Sequence, residues 1–371
     1  MKIALVAPIE ETVPPSAYGG TELIVYHLAH GMARRGHQVD LYAVGGSPRE
    51  KGYTLRSIAP KSLRTQPRYH DLKLRETAKW LSLADTVAAL NGERYDVIHN
   101  HASWRFLVFA DLLKNKKIIT THHDPLSLQY RNEVFNRYRQ LGHVSISDNQ
   151  RRDLEGINYI DTIYNGIDLD SYPFAERSGK HDYAYFLARI SPEKGVLAAA
   201  RAARQAKHRL VMNGKVDAVD EAYFAELGPL MQSKYVDFRG EIGGAAKARN
   251  LQRARCLLAP TSWEEPFGLM FVEAMASGTP VISYARGSAP EIIEDGKTGF
   301  LVNFSKKHVR GSWHVSKTGE EGLVDALKKM FSLPDEEYLE MRKASRRRVE
   351  EHFSVTQMLE GYEAAYRTIA G

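Results

Sequence analysis

The sequence predicts an α/β protein built from two doubly wound parallel-sheet domains, and three observations carry that expectation. The chain opens on a fully apolar, β-prone run, Ile3 to Ala7, which passes through a loop and an amphipathic helix into a second such run, Val39 to Val44. The same alternation starts afresh at Tyr183 to Ala188. Residues 257–284 read as strand, polar loop, helix and strand, with Pro260 stopping the first strand and Gly278-Thr279-Pro280 ending the helix. With 371 residues there is enough chain for two domains. They are expected at 1–165 and 166–354, followed by a last helix within 355–371.

In chain order, the first helix carries Leu23, Ile24, Leu28 and Met32 at helical spacing and ends at Arg34-Arg35-Gly36, where basic residues and glycine suit a helix C-terminus. Residues 46–76 are polar and basic, with an edge strand expected around Thr54 to Ile58 and then a loop. A helix is expected over Thr77 to Leu90, with Trp80, Leu81, Ala84, Val87 and Ala88 as its apolar face. Further strands are expected at Tyr95 to His99, Ile118 to Thr121 and Val144 to Ser147, with helices at Phe106 to Leu113, Arg131 to Leu141 and Asp148 to Leu154. An irregular connector covers Tyr172 to His181. The second half adds strands at Leu210 to Asn213, Val236 to Arg239 and Val281 to Tyr284. Its helices are expected at Val196 to Ala206, within Val216 to Met231, and at Lys247 to Ala254, Leu323 to Phe331, Glu337 to Glu351 and Val355 to Ile369. Residues 305–318, basic and containing Trp313, show no readable pattern, and Arg346-Arg347-Arg348 reads as a solvated face.

A chain 43% hydrophobic and 26% charged has the balance of an ordinary soluble globular protein. The net charge of +6 and a pI near 9.1 suit an anionic substrate or contact with a membrane surface. Nothing points to nucleic acid, and the oligomeric state is not legible. The single cysteine, Cys256, excludes an internal disulfide and starts an apolar strand, as a buried, inert thiol would. The start of the chain reads as a strand rather than a signal peptide, and no apolar run approaches the roughly 18 residues of a membrane span. A cytoplasmic location is therefore expected.

The chemistry concentrates in Pro260 to Ile282. Glu265 lies in the loop, and Glu273 lies eight residues on, a little over two helical turns, so both can share one side. The amides of Phe267, Gly268 and Leu269 fall where a helix leaves its first donors unpaired, a ready anion site. Phosphate for the amides and hydroxyls for the carboxylates together describe a sugar nucleotide, although either glutamate alone also fits a helix cap or a solvated side chain. Arg189 and Lys194 flank a turn ahead of a helix: a guanidinium fork, a point charge and a helix dipole are three means of holding a diphosphate. Gly19 and Gly20 open a helix after a strand, where small residues let a phosphate approach, but the pair forms neither a dinucleotide fingerprint nor a P-loop. His101, His122 and His123 sit at strand C-terminal ends, where open α/β sheets place ligands. The histidines with Asp124 are the right residue types for a metal, but adjacent histidines on an extended chain point apart and no H-x-x-x-H helix is present.

The stretch Glu265 to Glu273 and its continuation Ala274 to Ile282 resemble the E-x7-E region of retaining family 4 glycosyltransferases, which have the GT-B fold. Arg189 to Gly195 is similar to that family's G-R-x-x-x-x-K-G pattern, with Ala188 in place of the first glycine. Asn165-Gly166-Ile167-Asp168 resembles its interdomain N-G-I/V-D link. Asn213-Gly214-Lys215-Val216 departs from its common Ala-Gly-x-Gly, which puts the framing of the base in doubt. The resemblance covers nearly the whole chain. It implies two Rossmann-like domains facing a cleft, an acceptor domain first and a donor domain second, with the last helix crossing back onto the first domain. It implies that Arg189, Lys194 and the Phe267 to Leu269 amides hold the donor diphosphate, that Glu273 binds ribose hydroxyls and that Glu265 contacts the donor sugar. Gly19 and Gly20 would meet the diphosphate and acceptor. His122 would match the active-site histidine, with His101 and His123 on the acceptor side.

The implied reaction is transfer of a hexose from a nucleoside diphosphate, by default uridine diphosphate glucose, with retention of configuration. Its catalysis would consist of neutralising the departing diphosphate, a task Arg189 and Lys194 could perform without an obligatory metal. No carboxylate pair announces glycosidase chemistry. A GT-B-fold sugar-nucleotide epimerase and a non-catalytic sugar-nucleotide binder are the alternatives. The epimerase would need further acid and base carboxylates near the sugar.

Overall fold

The computed structural model describes residues 1–16, 19–176, 182–231 and 233–371. Ala17 and Tyr18, ahead of the glycine pair, and residues 177–181 of the expected connector lie outside the described residues. Two compact units form: Met1–Gly166 together with Val355–Gly371, and Ile167–Ser354.

The first unit holds seven strands, β1 (Lys2–Val6), β2 (Gln38–Val44), β3 (Tyr53–Ala59), β4 (Val97–Asn100), β5 (Ile118–Thr121), β6 (Gly142–Ser145) and β7 (Tyr159–Thr162), in the spatial order β3-β2-β1-β4-β5-β6-β7. Every pairing is parallel. The central strand is apolar from Ile3 onward because both of its faces are covered there: Ile3, Ala4, Leu5 and Val6 are all fully buried. Ala4 and Val6 pack with Leu83, Val87 and Leu90. The helices Gly20–Arg34 and Val355–Ala370 contact other strands and each other.

Three expectations in this unit need correction. The helix expected from Thr77 starts at Leu72, because Asp71 caps it by accepting from the amides of Lys73 and Leu74. Its buried face is Ser82, Leu83, Thr86, Val87 and Leu90, while Leu81 is 63% exposed. The helix expected over Phe106 to Leu113 is instead a turn of helix, Trp104–Leu107, and a 3-10 turn, Ala110–Leu112. The same apolar residues, Phe106, Leu107, Ala110 and Leu113, are still buried. Strand β7 was not expected: it is a four-residue edge strand with an exposed Asp161.

The second unit holds β8 (Tyr183–Leu187), β9 (Arg209–Asn213), β10 (Val236–Phe238), β11 (Cys256–Leu258), β12 (Val281–Tyr284) and β13 (Gly299–Val302), all parallel, in the order β10-β9-β8-β11-β12-β13. The helix Val196–Ala206 turns a stripe of small residues, Ala199, Ala200, Ala202 and Ala203, into the core. Cys256 is fully buried, and burial pushes its thiol pKa up to about 12, as an inert core residue requires. Arg346 and Arg348 are not a solvated face; only Arg347 is exposed. Arg346 donates to the carbonyls of Tyr172 and Ala276, and Arg348 to those of Glu291 and Ile292. Arg342, 1% exposed, donates to Gly278, Glu176 and Ala175. These guanidiniums satisfy carbonyls that helix ends and loops leave without partners. Residues 305–318 form no regular element beyond a Ser305–His308 bridge and are tethered by Asn303 to Gly311, Arg310 and Trp313.

Candidate functional site

At the C-terminal end of β8 the chain turns through Arg189 to Gly195 into the helix Val196–Ala206. Gly195 has φ of +76°, and a Cβ there would lie 1.9 Å from the carbonyl oxygen of Pro260, so only glycine lets this turn touch the loop after β11. The two segments are also joined by the Ser262 amide donating to the Glu193 carbonyl at 2.9 Å. This contact brings Lys194 onto Glu265, with Nζ 2.6 Å from Oε2 and both side chains 9% exposed. Trp263 Nε1 donates to the same oxygen at 2.9 Å, and Lys194 Nζ stands 4.5 Å from the centre of the Trp263 ring. Arg189 occupies the same turn, held by Glu193 at 2.9 Å, Asp217 at 3.6 Å and Asp220 at 4.0 Å. An anion binding there must compete with three carboxylates.

The loop around Glu265 is held from a second side. Gly287, with φ of +55°, packs so closely that a Cβ would lie 2.2 Å from the Glu265 amide nitrogen. The Ser288 amide donates to the Glu265 carbonyl, and the Ser288 hydroxyl donates to the Phe267 carbonyl. The neighbouring Glu264 serves different partners: Arg286, Arg310 and the Gly287 amide.

The helix that follows is Leu269–Ala276, with Gly268 as its N-cap. It begins two residues later than expected, so the first-turn donors are Leu269 and Met270. Among the described residues the amides of Gly268, Leu269 and Met270 donate to no protein acceptor. Phe267 leaves that set: it precedes the cap, is 2% exposed and packs its ring edge-on against Phe353. Glu273, 5% exposed, accepts from Tyr172 Oη and Lys247 Nζ, each at 2.7 Å. The second unit thus assembles Arg189, Lys194, Glu265, Gly268, Leu269 and Glu273 around one sheet edge.

In the first unit Gly19 caps the helix Gly20–Arg34. Close by, Glu22 is 5% exposed, and burial raises its carboxyl to about 7. The histidines fall into two groups. His123 Nε2 lies 2.8 Å from His101 Nδ1, and His101 Nε2 lies 3.3 Å from His99 Nδ1. His99 also meets Tyr366 at 2.7 Å and Thr121 at 2.8 Å. His122 belongs to the other group: its Nε2 lies 3.1 Å from His143 Nδ1, the two rings stack, and Phe135 packs edge-on against it. At 4% exposure His122 is a core residue. Successive strand residues point to opposite faces, so His123 rather than His122 shares a face with His101. Burial holds all five imidazoles below their ordinary pKa, His123 and His143 at about 4, so they are neutral near pH 7. Among the described residues no three His, Cys, Asp or Glu side chains are grouped to hold a metal ion.

Comparison with known proteins identifies the family of this chain. A model of glycosyltransferase family 4 matches residues 18–171, and one of glycosyl transferases group 1 matches residues 170–348. The chain belongs to the family 4 glycosyltransferases. Its relatives include the phosphatidyl-myo-inositol mannosyltransferase of Mycobacterium tuberculosis, 26% identical over all of this chain and 98% of that protein. This glycosyltransferase has the GT-B fold. Its solved neighbours include the sucrose-phosphate synthase of Thermosynechococcus elongatus (TM-score 0.78, 19% identity, covering 100% and 99% of the two chains). They also include Anabaena HepE in complex with UDP-glucose (TM-score 0.73, 19% identity, 99% and 100% covered).

Sequence reasoning missed Trp263, Lys247 and Tyr172 in this glycosyltransferase. Trp263 lies two residues before Glu265, a proximity that could have drawn attention to it. Lys247 and Tyr172 reach Glu273 from 26 and 101 residues away, a distance no local pattern encodes. No helix among the described residues is long and apolar enough to cross a membrane.

The Glu22 carboxyl provides a test of the fold near the glycine pair. A folded-state value of about 7, well above the ordinary carboxyl range, means the folded state holds the proton more tightly. The associated stability is complete below about pH 4.5 and is lost as pH rises through about 7, a change of roughly 3 kcal/mol. Glu22→Gln, which cannot ionise, is expected to gain roughly that much over the unmodified chain at pH 8 and little at pH 4.5. Urea unfolding at the two pH values measures the gain; an equal effect at both would show that Glu22 is not buried as described.

Proposed function

We propose that this glycosyltransferase moves a hexosyl group from a nucleoside diphosphate sugar, by default UDP-glucose, to an acceptor hydroxyl with retention of configuration. The observation that carries the reading is the meeting of Lys194 with Glu265 beside the unpaired amides of Gly268, Leu269 and Met270, with Glu273 on the same helix. Cation and amides suit a diphosphate, and carboxylates suit sugar hydroxyls. The HepE complex with UDP-glucose supports uridine as the base, and the mannosyltransferase relative supports a hexose.

In this reading the second unit takes the donor. Lys194, Arg189 once drawn from its carboxylates, and the helix amides offset charge on the departing diphosphate, so the reaction needs no obligatory metal. Glu265 accepts from hydroxyls of the transferred sugar and Glu273 from those of the ribose. The first unit takes the acceptor at Gly19 and Gly20 and at His123 with His101. His122 supports them from the core rather than touching substrate.

Incubation with a panel of UDP-, GDP- and ADP-sugars tests the reading. Transfer predicts nucleoside diphosphate release that an acceptor stimulates, and a product whose anomeric configuration matches the donor's. An altered sugar without release would indicate an epimerase, and binding without either would indicate a non-catalytic protein. Glu273→Ala is expected to raise the donor KM about tenfold with a smaller change in kcat, since it removes a contact present in both ground and transition states. Steady-state kinetics over donor concentration checks this; an unmoved KM removes Glu273 from the ribose.

A further inference from the structure

Glu265 and Glu273 are held in the same manner by groups from four separate segments. Each accepts from one lysine ammonium and from the polar hydrogen of one aromatic side chain, and the same ammonium lies over that aromatic ring. For Glu265 the pair is Lys194 and Trp263, with the cation 4.5 Å from the ring centre. For Glu273 it is Lys247 and Tyr172, with the cation 5.6 Å from the ring centre. In both cases the two donors converge on one carboxylate oxygen, Oε2 of Glu265 and Oε1 of Glu273. The other oxygen has no hydrogen-bond partner among the described residues and is not one of the buried unpaired atoms.

A carboxylate has about four acceptor positions, two on each oxygen. A pure stabilising pair gains most when both oxygens are engaged, as in a bidentate fork. Loading a single oxygen forgoes that gain but fixes the orientation of the group and leaves the second oxygen open to a hydroxyl. The ring beneath each ammonium limits where the cation can stand, so the clamp is rigid on both sides.

We propose that Trp263 and Lys247 are positioning residues of the donor site, each turning the open oxygen of its glutamate toward a donor hydroxyl, on the transferred sugar for Glu265 and on the ribose for Glu273. This inference rests on the proposed function. It separates the two residues in a way that a merely structural role would not. UDP carries the ribose but no transferred sugar, so Lys247 acts on the binding of UDP itself and Trp263 only on the sugar that is moved.

Two variants distinguish them. Trp263→Phe keeps a ring under Lys194 and deletes the N–H. Lys247→Met keeps the aliphatic stem and deletes the charge. UDP affinity by titration calorimetry, kinetics with an accepted donor and a thermal melt are measured for each. Trp263→Phe is expected to lower kcat by about tenfold, the factor for losing one hydrogen bond to a charged group, while the Kd for UDP moves by less than about threefold. Lys247→Met is expected to raise the Kd for UDP and the donor KM together by about tenfold, with kcat little changed, and Lys247→Arg to recover most of that loss. Equal shifts in both parameters for both variants, or none, overturn the clamp while leaving the donor assignment intact. An unmodified chain that binds no nucleoside diphosphate overturns both.

Discussion

Lys194→Ala is expected to lower turnover by on the order of a hundredfold and to destabilise the second unit by about 3 kcal/mol. The two effects have separate causes. Lys194 is the cation nearest Glu265, and in the proposed reaction its charge is realised most fully as the diphosphate departs. Removing one preorganised charge from such a position commonly costs two to three orders of magnitude in rate. The stability loss arises in the resting protein: Glu265 is 7% exposed, and without Lys194 its only side-chain donor among the described residues is Trp263 Nε1. A buried carboxylate stripped of its counter-ion is costly because its desolvation is no longer offset. The double variant Lys194→Ala/Glu265→Gln separates the causes. With no charge left unpaired it should regain most of the lost stability, measured by urea unfolding, yet remain as inactive as the single variant. Recovery of activity along with stability would mean that Lys194 only supports the fold. Full activity in the single variant would remove it from the chemistry altogether.

The parts of this protein that local sequence reveals are those whose burial is complete. Strands Ile118–Thr121 and Val281–Tyr284 and the helix Val196–Ala206 match their expected limits, because each of these two strands is buried at every residue and opens on a pair of β-branched apolar residues, and an alanine stripe has an unmistakable period. Strand β7 was missed since a short edge strand needs no continuous apolar run. The site shows the same division. Lys194, Glu265 and Glu273 stand in recognisable motifs, and the contact between their two loops depends on Gly195, which is itself part of one motif. Parity at a strand end is harder to read: His122 and His123 are chemically identical, and only the sheet decides that one packs on His143 and Phe135 while the other meets His101. The arginines at 346 and 348 looked solvated because their partners are main-chain carbonyls, which leave no mark in the sequence.

The first unit is expected to lose its structure in mild acid, because its histidines are buried as neutral bases. His99, His101, His122, His123 and His143 all have depressed pKa values, with desolvation the leading cause in each case. A base whose folded value lies below its unfolded one binds its proton more weakly when folded. Its contribution is therefore complete above about pH 6.5 and is lost as pH falls toward 4. For His143, fully buried and lowered to about 4, the loss approaches roughly 3 kcal/mol, a large share of the whole stability of many domains, and the half-buried His123 adds a smaller loss in the same direction. The Glu22 contribution runs in the opposite sense, fading as pH rises through about 7, so the unit should be most stable in the window between the two. The acid limb has a structural origin as well: protonating His99 or His101 would disrupt the hydrogen bonds among His123, His101, His99 and Tyr366, and so loosen the helix Val355–Ala370 from the sheet. Circular dichroism and tryptophan fluorescence followed from pH 8 to pH 4 should show a cooperative loss of signal, with Trp80 and Trp104 reporting from this unit. His143→Gln, which keeps a hydrogen-bonding group but cannot take up a proton in this range, should move the midpoint to lower pH. A native signal and undiminished urea resistance at pH 4.5 would show that these imidazoles are not sealed from solvent in the folded protein.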